Sequence, residues 1–103
     1  MAGSAEGGLG DLGNVRTVAD LAGVLRSLRR RHAREHQDAE LTVRELARRS
    51  GYAYGAISEY LSGRSLAPTD RFDVLVRLLG ARPPEQRALA TARDRVAELR
   101  RVV

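Results

Sequence analysis

Residues 41–64 read LTVRELARRSGYAYGAISEYLSGR, and the spacing within them predicts two short helices joined by a tight turn. Thr42 and Glu45 stand three apart, as in a capping box, where each side chain satisfies a free backbone N–H at a helix start. A helix therefore begins at Val43. At about 100° per residue, Val43, Leu46, Ala47 and Ser50 share one side of it, and Arg44 and Arg48 share the other. One face is core and the other is basic. Gly51 follows, able to take the positive φ of a helix C-cap, and ends the helix early.

The second half has different chemistry. From Ala53 to Ser62 the same wheel puts Ala53, Ala56, Ile57, Tyr60 and Leu61 on one arc, and Tyr54, Gly55, Ser58, Glu59 and Ser62 on the opposite one. Gly63 closes it as Gly51 closed the first. The exposed arc is built mainly of small residues and carries no Lys or Arg, so the helix can approach another surface closely. The major groove of DNA admits a helix, and hydroxyls of Ser and Tyr can meet base edges or phosphates there. The same residues also suit an ordinary surface helix.

Leu46-Ala47, Gly51, Ile57, Leu61, Gly63-Arg64 and Pro68 together resemble the phage-repressor-like helix-turn-helix family, the Cro/repressor or XRE class, over roughly Val18 to Gly80. The resemblance implies an all-α, lambda-repressor-like bundle of about five helices that binds duplex DNA through its third helix. By position it implies that Tyr54, Gly55 and Ser58 face base edges and that Thr42, Arg44, Ser62 and Arg64 lie near phosphates. There is one departure: Val43 stands where many members have a Gln that braces the recognition helix and touches DNA. That contact is expected to be missing.

The rest of the chain supports this motif. At 103 residues it makes one domain with a modest core. The formal charge is +5, and all 18 basic residues are Arg. Arg offers a planar fork suited to phosphate and guanine, and a basic balance favours nucleic acid as partner. An Arg-rich, Lys-free composition is also what a GC-rich genome produces. With no cysteine there is neither a disulfide framework nor a Cys-based zinc site. No apolar run reaches the length needed to cross a bilayer, and the N-terminus lacks a signal-peptide pattern, so a soluble, cytoplasmic, nucleoid-associated protein is expected.

Residues 1–14 hold five of the ten glycines and no periodicity, which predicts a flexible tail ahead of a DNA-binding domain over 15–80. The run Gly8 to Gly13 matches the dinucleotide fingerprint letter for letter. No strand precedes it, however, and none follows the next helix, so the fingerprint lacks its βαβ setting. The first helix is expected from Val18 to about Arg31, with Thr17 as N-cap and Leu21, Val24, Leu25 and Leu28 as its core stripe. Arg29, Arg30, Arg31 and Arg34 cluster at its end, where the helix dipole favours positive charge and a phosphate is also within reach. His32-Ala33-Arg34-Glu35-His36 spells the H-x-x-E-H of inverted zinc proteases. The chain is too short for a protease cleft, and the arginines beside it repel a cation. No catalytic residue, metal ligand or cofactor is assigned.

Pro68 is expected at or near the start of a fourth helix, with Phe72, Leu75, Val76 and Leu79 buried and Gly80 as stop. Phe72 should pack against Ile57 and Leu61. Arg82-Pro83-Pro84 should break the chain before a last helix from Glu85 to about Arg101. Within 81–103, Leu89, Ala92, Val96, Leu99 and Val103 alternate spacings of three and four, which fits either packing on the domain or a coiled-coil dimer seam through Leu89, Val96 and Leu99.

The sequence thus reads as a non-enzymatic, double-stranded DNA-binding transcription regulator, expected to act as a homodimer by analogy with half-site binding or together with a partner protein. Affinity would come from Thr42, Arg44, Arg48, Ser62 and Arg64 on phosphates, and base reading from Tyr54, Gly55, Ser58 and Glu59, the last accepting from cytosine N4. Without Arg, Asn or Gln on that face, specificity should be modest. The alternative is a helical protein–protein interaction module, or an antitoxin-type partner-binding protein, that retains the helix-turn-helix fold. Glu59 on the would-be DNA face favours it.

Overall fold

Thr17 opens the first helix, α1 (Val18–His36), through a complete capping box: its hydroxyl accepts from the Asp20 N–H at 3.0 Å and Asp20 Oδ2 accepts from the Thr17 N–H at 3.2 Å. In this computed structural model, which describes residues 9–102, the helix runs past Arg31 to His36. The residues after Arg31 all tolerate helix, and the stop is Gln37, in the left-handed region at φ 53°. A terminator that is neither Gly nor Pro leaves no composition signal.

The central pair follows as α2 (Val43–Ser50) and α3 (Tyr54–Ser62), capped by Gly51 at φ 80° and Gly63 at φ 85°. Only half of the expected capping box forms on α2. Thr42 Oγ1 accepts from the Glu45 N–H at 3.0 Å, but the Glu45 carboxylate turns to Arg48 and Arg49 instead. Helix α3 begins at Tyr54, behind the extended N-cap Ala53, which has no side-chain group to cap with. Gly63 is required twice over. Besides its positive φ, an added Cβ would lie 3.2 Å from Ala19 Cα on α1, so α3 ends hard against that helix.

Pro68 is likewise the extended N-cap of α4 (Thr69–Leu78) rather than its first helical residue. The last helix, α5 (Pro83–Val102), starts at Pro83 and not at Glu85. The proline pair sits in the first turn, where a missing N–H goes unnoticed. Glu85 Oε1 accepts from the Arg82 N–H at 2.8 Å and secures that turn.

Helix α3 packs on α1 and α2, α2 also rests on α4, and α4 pairs with α5, which returns to α1 and to a 3-10 turn at Leu12–Asn14. The described residues form no strand. One cluster makes the core, with Leu25, Leu28, Leu46, Ile57, Leu61, Phe72, Leu75, Leu79 and Leu89 among its members. Phe72 shares it with Ile57 and Leu61. Leu89, Ala92 and Val96 are all fully buried in this core, which corrects the dimer-seam reading for Leu89 and Val96: the domain itself occupies those side chains. Leu99 alone of the three proposed seam residues stays exposed, at 37%.

Two further expectations change. The described part of the supposed flexible tail is docked, since Leu9 and Leu12 pack on the core and Arg95 Nη1 donates to Leu12 O at 3.0 Å and Val15 O at 2.8 Å. Residues 1–8, with Gly8 of the fingerprint-like run, lie outside the described residues. Arg31 is not on a solvated basic end. It is 3% exposed and donates to both Glu85 oxygens, at 2.7 and 2.8 Å, and to Gly80 O at 3.1 Å. That pair fastens α1 to the start of α5, and the Arg31 guanidinium holds the Glu85 carboxyl down to about 2.

Candidate nucleic-acid interface

The helical period divides α3 cleanly. Ile57, Tyr60 and Leu61 are buried, while Tyr54, Gly55, Ser58, Glu59 and Ser62 are exposed, Tyr54 by 56%. Arginines from other helices hold α3 in place. Arg26 Nη1, from α1, donates to Leu61 O at 2.7 Å and satisfies a free carbonyl of the last turn. Arg71, from α4, donates to the Tyr60 hydroxyl at 3.3 Å and lies over the Tyr52 ring, 4.8 Å from its centroid. Arg29 Nε donates to Leu41 O at 2.6 Å and fixes the approach to α2. The sequence marks these three only as basic residues. Their structural work depends on partners at long range, which no local pattern announces.

The exposed residues differ in what they have free. The hydroxyls of Tyr54 and Ser58 bond to nothing in the described residues and can meet an incoming acceptor or donor. Gly55 has a negative φ, and a Cβ built on it meets nothing within 4 Å. The fold itself therefore has no use for glycine here, in a helix where glycine costs about 0.5–1 kcal/mol relative to alanine. Glu59 is partly committed: Oε1 accepts from Ser65 Oγ at 2.6 Å, and its carbonyl accepts from the Gly63 and Arg64 N–H groups and, at 3.2 Å, from Ser62 Oγ. These bonds shape the loop that carries Arg64. Cytosine reading by Glu59 would have to use the oxygen Ser65 leaves free.

The basic flank is thinner than a count of arginines suggests. Glu45 pairs with Arg48, which is 70% exposed, and with Arg49 at 2.6 Å. Both arginines, by hydrogen bonding, hold its carboxyl below the usual range, so it stays ionised and offsets their charge. Arg44 and Arg64 are exposed and have no side-chain partner within the described residues. Thr42 accepts from the Glu45 N–H yet keeps its own hydroxyl proton to donate. The Glu45–Arg49 spacing of four was the available sequence signal for this pairing. The extended Ala53 caps no N–H of α3, so that helix start also offers unsatisfied donors.

The H-x-x-E-H segment lies wholly within α1. His32 and His36 stack with ring centroids 4.0 Å apart, and His36 Nδ1 bonds to His32 O at 2.8 Å. Glu35 turns to Arg82 at 2.8 Å and to Arg31 at 3.9 Å. Burial, with the neighbouring His36 and Arg49 charges, pushes His32 below the ordinary histidine range.

A family model described as "Helix-turn-helix domain" matches residues 20–90, most of the chain and all of α2, α3 and α4. The chain belongs to this helix-turn-helix domain family, in keeping with its resemblance to the phage-repressor-like class. Searches of curated proteins and of solved structures gave no match. Within the described residues no helix is long and apolar enough to cross a membrane.

Proposed function

We propose that this chain is a double-stranded DNA-binding transcription regulator that lays the Tyr54, Gly55 and Ser58 face of α3 in the major groove. The observation that carries the reading is Gly55: a glycine on an exposed helix face, at a position where the fold has room for a side chain. Tyr54 and Ser58 supply the base contacts, while Arg44, Arg64 and the Thr42 hydroxyl grip phosphates. Arg48 contributes less, since Glu45 shares its charge, and Ser62 and Glu59 chiefly hold the loop after α3. The setting proposed is the cytoplasm, on the nucleoid. Binding as a homodimer would require a contact around Leu99 or another surface, and half-site spacing in bound DNA reports it. Docking to a protein partner gains little support from the surface, where the exposed large hydrophobics among the described residues are Tyr54 and Leu99.

Gly55→Ala tests the reading because its two effects have opposite signs. Stability rises by about 0.5 kcal/mol as the helix gains propensity, measured by urea melts. Affinity for a mixed-sequence duplex, measured by fluorescence anisotropy, falls about tenfold as the methyl group holds the helix off the groove. Unchanged affinity in the better-folded variant would remove α3 from the interface.

A further inference from the structure

The arginines of α1 separate into two sets. Arg29 and Arg31 turn inward, to Leu41 O and to Glu85. Arg26, Arg30 and Arg34 recur every four residues and are all exposed. Successive members of such a series drift by only about 40° around a helix, so the three form one stripe about 12 Å long.

Its flank is fixed by contacts at its start. Arg26 reaches Leu61 O at the end of α3, and Gly63 abuts Ala19 and Ala22 on that same side of α1. Arg31 and Glu35 point round the other side, to Glu85 and Arg82 at α5. The stripe therefore begins beside the recognition helix and runs away from it. Arg30 has a single neutral partner, Ser27 Oγ at 3.1 Å, and Arg34 has none within the described residues. Glu40, between α1 and α2, is 3.7 Å from Arg29.

We infer that Arg30 and Arg34 form a second phosphate track, extending the DNA footprint from α3 along α1 and adding affinity without sequence information. This rests on the proposed DNA-binding function. Arg26 is the link, spending one nitrogen on α3 while leaving the rest of its fork outside. The track compensates for a recognition face with few unspent charges, because affinity for duplex is set chiefly by the phosphates neutralised.

The test is the dependence of log affinity on log salt for a mixed-sequence duplex. Each neutralised phosphate contributes about 0.9 to that slope. Arg30→Ala with Arg34→Ala should lower the slope by about 2 relative to the parent, and Arg30→Lys with Arg34→Lys should restore most of it, since charge suffices. Circular dichroism melts verify that both variants fold. Arg77→Ala with Arg87→Ala, in the groove between α4 and α5, should leave the slope unchanged. An unchanged slope in the α1 variant overturns the track, and an equal fall in the groove variant overturns it too, by showing that only total charge is being read. A parent with no salt-dependent binding refutes the DNA reading itself, a result distinct from either.

Discussion

Glu85→Gln is expected to cost about 3 kcal/mol of stability at pH 7, on the order of 15 °C in Tm. The loss follows from what remains rather than from what is removed. Arg31 stays buried at 3% exposure and loses the full counter-charge that meets it at 2.7 and 2.8 Å, while Gly80 O at 3.1 Å is neutral and the half-exposed Glu35 lies farther off at 3.9 Å. An under-compensated buried charge is far more costly than an absent one. For a domain this size, whose total stability is of order 5–10 kcal/mol, the variant should be marginal.

Acid checks the mechanism. The Glu85 carboxyl lies near 4.5 in the unfolded chain and about 2 in the folded one. A depressed folded value means its stabilisation is complete above about 4.5 and fades as pH falls through about 2. The gap between parent and Glu85→Gln, measured by urea melts, should therefore narrow steadily from pH 5 to pH 2.5. A gap of equal size at both ends would show that lost packing, not lost charge, is the cause. His32 is also depressed on folding, so its contribution is present above the ordinary histidine range and wanes as pH falls below it. It is common to both proteins and cancels in the comparison.

Tyr54→Ala carries the largest expected effect on binding. Tyr54 is 56% exposed, and its hydroxyl has no partner in the described residues, so truncation should change stability by less than about 0.5 kcal/mol. An aromatic anchor at the centre of an interface is worth about 2 kcal/mol, or a factor of about 30 in Kd. Because Tyr54 is assigned to base edges, its loss should fall mainly on the preferred sequence and flatten the difference between that sequence and random duplex. A loss of equal size on both would place Tyr54 against the backbone instead. Tight, selective binding by Tyr54→Ala would remove it from the contact.

The helix-turn-helix was legible because its determinants are local. Gly51 and Gly63 can be read as stops, and the period of three and four separates Ile57 and Leu61 from Ser58 and Ser62 without reference to the rest of the chain. The long-range pairings were not legible. Arg31 looks like its neighbours Arg29, Arg30 and Arg34, and only the return of α5 distinguishes it by bringing up Glu85. The seam-like pattern of Leu89 and Val96 had two solutions with the same period, and the fold chose core. Gln37 stopped α1 by adopting a conformation its residue type rarely signals. On the candidate face, the sequence could name Arg44, Arg48 and Arg64 but not which were committed, since the Glu45 carboxylate could have closed the capping box instead of binding Arg48 and Arg49.

Sequence reading by α3 is tested by selection of bound fragments from randomised duplex DNA at about 150 mM salt, where weak phosphate binding is suppressed. A short enriched motif of modest information content is expected for the parent and is lost with Tyr54→Ala. Recovery of no motif, or of the same motif by Tyr54→Ala, would contradict sequence reading through α3.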